Sequence, residues 1–189
     1  MTELELRAKD FATRHHAAVG HKRKYTGEDY INHPVSVAEI VRSVPHTEAM
    51  LCAALLHDVV EDTKATLDDV ERLFGHEVAC LVEMLTDVST TAGNRAVRKA
   101  IDRAHTAKAS ADAKTIKLAD LIDNSRSIIK HDAKFAKVYL AETMLLLDVL
   151  RGGDATLWNM ANEIVKRYFN EQEQNHGKVT KAHTRPEKD

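Results

Sequence analysis

The residues best suited to chemistry sit in the stretch LCAALLHDVVEDT, Leu51 to Thr63, where His57-Asp58 and Glu61-Asp62 follow an unbroken apolar run from Ala49 to Leu56. Read as one helix, the stretch stacks His57 over Glu61 and Asp58 over Asp62 on neighbouring stripes. Burying such a cluster unpaired costs roughly several kcal/mol, and imidazoles and carboxylates tolerate burial when they are paired or bind a metal. A cation at this helix end is the economical explanation, and an ordinary helix C-terminus with a chance His-Asp pair is the alternative. Two more residues of the right type stand among apolar neighbours: His33, just before Pro34, and Asp120, between Ala119 and Leu121. Asp120 reads equally well as a surface acid paired with Lys117. Together His33, His57, Asp58 and Asp120 offer two imidazoles and two carboxylates, a set that suits Mn²⁺, Fe²⁺ or Zn²⁺ and is too oxygen-rich for a structural thiolate zinc site.

These residues need elements to hold them. The chain has 189 residues, 43% hydrophobic and 30% charged, enough for one domain with a substantial core. Only seven Gly and three Pro occur among many Ala, Leu, Glu, Lys and Arg, so the expected fold is all-α, a single helical bundle of about eight to ten helices. A formal net charge of -2 excludes a generally basic binder of nucleic-acid polymers and leaves open a local basic pocket for a small polyanion. Cys52 and Cys80 lie in apolar helical stretches without CxxC spacing and read as buried free thiols of a reduced, cytoplasmic protein. No apolar run is long enough for a membrane span, and the acidic start MTELELRAKDF does not read as a signal peptide. Eleven histidines exceed what such a chain normally carries.

Periodicity predicts a first helix over 3–19 ending near Gly20, a turn at Gly27, and a helix beginning at Pro34 and closed by Pro45. Thr47 caps the central helix, and Thr66 with Asp69 forms a capping box for the next, up to Gly75. Helices over 76–85 and 94–108 follow. The second carries Arg95, Arg98, Lys99, Arg103 and Lys108 and reads as a solvated basic face. Asp112 is the expected N-cap of a buried helix over 113–129, in which Asn124 and Ser127 share the stripe of Asp120. A helix over 133–150, a break at Gly152-Gly153 and a last helix capped by Asp154 and ending near Glu173 complete the domain, 1–174. Residues 175–189 are polar, lack periodicity and read as a disordered tail.

The segments RKYTGEDYINHP at 23–34, AALLHDVVEDT at 53–63, FGHEVACLVEMLTD at 74–87 and KLADLIDNSRS at 117–127 carry more than an isolated His-Asp pair. The arrangement of His33, His57-Asp58 and Asp120 resembles the HD superfamily of metal-dependent phosphohydrolases. The four segments together resemble the RelA/SpoT hydrolase domain, and the chain's length makes it similar to the stand-alone small alarmone hydrolases. That resemblance implies removal of the 3′-pyrophosphate of (p)ppGpp, giving GDP or GTP and pyrophosphate, with one Mn²⁺. It implies His33, His57, Asp58 and Asp120 as metal ligands, Glu61 and Asp62 as the catalytic carboxylates, and Arg23, Lys24, Asn124 and Ser127 near the nucleotide. His21, Tyr25, Asp123 and Ser127 depart from the family's common residues, which bears on recognition of base and ribose more than on the reaction.

Elementary chemistry is compatible with those roles. Attack on a phosphoryl centre that already carries negative charge needs a nucleophile at neutral pH and a cation to absorb developing charge, both of which one metal supplies. Glu61 and Asp62, a turn beyond the ligands, can exchange a proton with the leaving 3′-oxygen, and which of them is the acid stays open. Arg23 and Lys24 either neutralise phosphates or are ordinary exposed bases. The same catalytic residues serve adenosine alarmones, (pp)pApp, and an HD phosphatase acting on another nucleotide such as NADPH. A non-catalytic nucleotide-binding module is a further alternative, disfavoured by the second carboxylate pair.

Overall fold

The structure, a computed structural model, describes residues 1–88 and 93–182, with side chains described to residue 174. Among the described residues there are ten helices and no strand, only one isolated bridge between Lys22 and Asp29. The expected all-α bundle is what the chain adopts. Its centre is α3 (Glu48–Leu56), in which every residue from Met50 to Leu56 is buried. The Thr47 side chain accepts from the Met50 N–H and starts it. Around α3 pack α1 (Glu3–Ala18), α2 (Asn32–Arg42), α6 (His76–Leu85) and α8 (Ala111–His131), each burying one apolar stripe. No helix among the described residues is long and apolar enough to cross a membrane.

Several boundaries differ from the sequence reading, and the most consequential lies inside the central segment. The helix expected to run through Thr63 breaks at His57-Asp58, after which α4 spans only Val59–Asp62. The cause is local: His57 Nδ1 lies 2.9 Å from the carbonyl oxygen of Ala54, the acceptor that the Asp58 N–H would use in a continuous helix. α2 begins two residues before Pro34, because the carbonyls of Asp29 and Tyr30 accept from the Asn32 and His33 N–H groups. Pro34 still falls in the first turn, where its missing N–H costs nothing. Ser110, and not Asp112, caps α8, its hydroxyl accepting from the Ala113 N–H, while Asp112 faces the helix dipole from the first turn. Cys52 is buried as expected, but Cys80 is only half-buried, its Sγ 3.4 Å from His76 Nε2.

The outer helices close the bundle. The capping box at Thr66 and Asp69 opens α5 (Leu67–Phe74). α7 (Arg95–Thr106) is capped by Asn94, and α9 (Ala133–Val149) and α10 (Ala155–Ala182) pack against α8. Gly153 permits that last packing: a Cβ there would stand 3.0 Å from the backbone of Lys114 and Thr115. α10 continues past the expected end near Glu173 to Ala182, since Gln174 to Ala182 offers no proline to stop it. The rest of the expected tail, 183–189, lies outside the described residues.

Candidate metal centre

The break after α3 aims two side chains into one space. His57, the residue after α3, is almost wholly buried, and its Nε2 stands 3.0 Å from Asp58 Oδ2 and 3.8 Å from Asp120 Oδ1. From the first turn of α2, His33 brings its Nε2 to 3.2 Å from Asp120 Oδ1 and 3.7 Å from Asp58 Oδ2. Three segments distant in sequence thus converge. The two imidazoles and Asp58 alone bring ligand atoms within 4.8 Å of one another.

The surroundings of these atoms fit a cation. With Nδ1 donating to Ala54, the neutral His57 turns its Nε2 lone pair inward, where it has no well-formed hydrogen bond; burial opposes a positive charge at this nitrogen, and the carboxylates of Asp58 and Asp120 favour one. An orphaned buried acceptor costs about 1–3 kcal/mol, and a metal removes that cost. Separations of 3.0–3.8 Å between donors match the edges of a coordination shell with ligands at about 2.0–2.2 Å. His33 is pushed up to about 9: burial works against its charge, but the carboxylates of Asp120 and Asp123 outweigh it. Asp58 and Asp120 are held below the usual carboxylate range, burial being outweighed by His57 at Asp58 and by Lys117 and His33 at Asp120. Such carboxylates stay ionised and await positive charge.

Other side chains hold these four in place. Asp123 Oδ2 lies 2.7 Å from His33 Nδ1, Ser36 donates to Asp123 Oδ1, and Arg23 donates to Oδ2 at 3.2 Å. Tyr30 donates to Asp58 Oδ2 at 2.5 Å, and Asn124 donates to Asp120 Oδ1 at 2.6 Å. Lys117 Nζ lies 3.1 Å from Asp120 Oδ2, so Asp120 faces the cluster and pairs with Lys117 at once. The pairing with Lys117 is present, but Asp120 is buried and not a surface acid.

Beside Asp120 opens a cavity of about 640 Å³ bounded by α7, α8 and α9. Asp120, Asn124 and Lys117 form one wall, Arg95, Lys99 and Arg103 of α7 another, and Phe135 and Tyr139 of α9 a third. Part of the basic face expected to be solvated therefore lines a pocket. Its cations have acidic partners there, Arg95 with Glu142 and Lys99 with Asp87.

The model of the HD domain matches residues 8–147. The chain belongs to the HD-domain family. Among its relatives, the guanosine-3′,5′-bis(diphosphate) 3′-pyrophosphohydrolase MESH1 of Drosophila melanogaster is 38% identical over 145 residues, covering 73% of this chain and 80% of that protein. The human MESH1 is 43% identical over 125 residues, 65% of this chain and 68% of its own. A solved structure described as a metazoan ortholog of SpoT that hydrolyzes ppGpp superposes with a TM-score of 0.80 at 34% identity, covering 89% of this chain and 97% of that one.

Within this HD domain the remaining expected site residues scatter. Glu61 and Asp62 follow on the next turn, the Asp62 N–H donating to the Asp58 carbonyl, and meet different neighbours: Glu61 accepts from the Asp87 N–H, and Asp62 faces His21. Burial and the neighbouring carboxylates raise both, Asp62 to about 7. Asn124 borders the cavity, whereas Arg23, Lys24 and Ser127 lie off its wall. Arg23 is largely buried against Asp123, and exposed Lys24 stands 4.9 Å and 5.4 Å above the rings of Tyr25 and Phe135. Asp123, read from sequence as altering base recognition, holds His33 instead. Its spacing of three from Asp120 was the available signal, as was that of Tyr30 from His33.

Proposed function

We propose that the chain hydrolyses the 3′-pyrophosphate of guanosine alarmones, (p)ppGpp to GDP or GTP and pyrophosphate, with one divalent metal held by His33, His57, Asp58 and Asp120. The observation that carries this reading is the buried, unpartnered Nε2 of His57 in a cluster of imidazole and carboxylate that adjoins a cavity lined by Arg95, Lys99, Arg103 and Lys117 beside their acidic partners. The relatives named for this reaction support it. Mn²⁺ is the proposed metal, with Fe²⁺ or Zn²⁺ compatible with the same donors. When bound, it supplies a nucleophile at neutral pH and neutralises charge on the phosphoryl group.

The chain's own residues do the rest. Arg95, Lys99, Arg103 and Lys117 provide the positive field that holds the phosphates in the cavity, in place of the acids they now pair with. Lys24 stands over Phe135 at the cavity's aromatic side, where base or ribose can pack. Glu61 and Asp62, whose carboxyls lie above the ordinary range, are suited to give a proton to the leaving 3′-oxygen and to take one back. The activity belongs to residues 1–174, and the free thiols Cys52 and Cys80 fit a reducing cytoplasm.

The test compares kcat/KM of the Mn²⁺-loaded chain for ppGpp, ppApp and NADPH while following pyrophosphate and phosphate. The expected outcome is release of pyrophosphate with ppGpp preferred. A tenfold preference for ppApp, about 1.4 kcal/mol, overturns the guanosine assignment and leaves the mechanism. Turnover of NADPH alone, with phosphate as the only product, overturns the alarmone reading.

A further inference from the structure

The excess of histidine extends beyond the cluster above. α1 ends in a Schellman motif: Gly20, at φ +68°, donates its N–H to the Ala17 carbonyl, and His21 donates its N–H to the His16 carbonyl. This cap brings the side chains of the third-last helical residue and of the second residue beyond the cap together, a contact usually made by two apolar groups. Here both are histidine. Their Nδ1 atoms stand 3.3 Å apart, and Asp62, the last residue of α4, places Oδ2 3.5 Å from the same nitrogen of His21.

We propose that His16, His21 and Asp62 form a second divalent-metal site, suited to zinc and separate from the His33, His57, Asp58 and Asp120 cluster. The three ligand atoms all lie within 4.8 Å of one another. Zinc with ligands at about 2.0–2.1 Å has tetrahedral edges of about 3.3–3.4 Å, close to the 3.3 Å between the two Nδ1 atoms and the 3.5 Å from His21 Nδ1 to Asp62 Oδ2. Two imidazoles and one carboxylate, with a fourth position for water, are a donor set that borderline metals accept and that Mg²⁺ or Ca²⁺ does not favour.

Protons alone serve this arrangement poorly. His21 Nδ1 faces both His16 Nδ1 and Asp62 Oδ2, and a single ring nitrogen either gives one proton or accepts one, so it cannot donate to both. His16 is buried, and its Nε2 finds no partner whichever tautomer it adopts. Burial holds His16 down to about 4 and lowers His21 as well, so both imidazoles are neutral and ready to bind. Asp62, crowded by Asp58 and Glu61, gains a counter-charge when a cation arrives. With the ion bound Asp62 is ionised, and Glu61 is then the carboxyl left to give the proton.

The two sites are neighbours through Tyr30. Its ring stacks on His21 with centroids 3.7 Å apart and packs on His16 at 4.6 Å, while its hydroxyl donates to Asp58. The inference depends on these contacts and not on which nucleotide the chain hydrolyses.

The test counts zinc. The full chain is stripped with a chelator, saturated with Zn²⁺, desalted and analysed for metal per chain, together with His21→Phe, which keeps a ring to stack on Tyr30, and His21→Gln, which keeps a polar group. The wild type is expected to hold one more zinc per chain than either variant, and His57→Ala, which disrupts the first cluster, is expected to lose a different one, so that the double variant loses two. Zinc on surface groups such as His76 and Cys80 is common to all and cancels. A wild-type content equal to that of both His21 variants overturns the site. Activity takes no part in the readout, so failure here leaves the proposed reaction standing.

Discussion

Asp123 Oδ2 lies 2.7 Å from Nδ1 of His33, and that contact makes Nε2 the nitrogen His33 turns toward Asp58 and Asp120. A carboxylate behind a ligating imidazole fixes the tautomer and raises the basicity of the nitrogen that binds. The same carboxylate accepts from Ser36 and Arg23, so one side chain ties the loop before α2 to the candidate ligand.

Asp123→Ala is therefore expected to weaken divalent-metal binding by about 10–100-fold, with hydrolysis recovering in part at high metal concentration. Competition against a chelator of known affinity measures this. An unchanged metal affinity would mean that Asp123 serves only Arg23 and Ser36.

Holding metal and moving protons should separate by mutation. His57→Ala and Asp58→Ala are expected to lose both bound metal and hydrolysis, and some stability with them. Glu61→Gln should keep the metal and lower kcat by about 10²–10⁴, the range for losing a general acid or base. Elemental analysis beside steady-state kinetics decides. Metal loss in Glu61→Gln would make Glu61 a ligand, and an unaltered kcat would remove it from the chemistry.

Away from the site, Glu5 of α1 is buried and takes a hydrogen bond from Arg42 of α2. Burial pushes this carboxyl up, but the bonds from Arg42 and from the backbone at its own helix start outweigh it and leave it below the ordinary value. A lowered acid contributes stability above its unfolded value, about 4.5, and loses that contribution as pH falls through the folded one. Glu5→Gln should cost about 1–3 kcal/mol at neutral pH, and the difference should shrink on acidification below about 4.5. Denaturant melts across that range measure it, and a gap that widens in acid contradicts the sign.

The fold class, the buried central helix and the four candidate ligands were legible in the sequence, because each rests on a local rule. Thr47, Thr66 and Asn94 cap where short polar side chains before apolar periods should. The apolar run at 49–56 could only be core, and His33, His57, Asp58 and Asp120 stood out as ionisable groups among apolar neighbours. Tertiary structure decided the rest. A side-chain bond from His57 to a carbonyl one turn back interrupts the helix, and the partners that Glu61 and Asp62 meet, the Asp87 N–H and His21, come from distant segments that helical periodicity cannot register. Asp123 became the support of His33, ninety residues away in sequence. The basic helix α7 gained a pocket only because α8 and α9 pack opposite it. Hydrophobic spacing reports which side of a helix is buried, but not what stands across from it, and the chemistry of a site is set by what stands across.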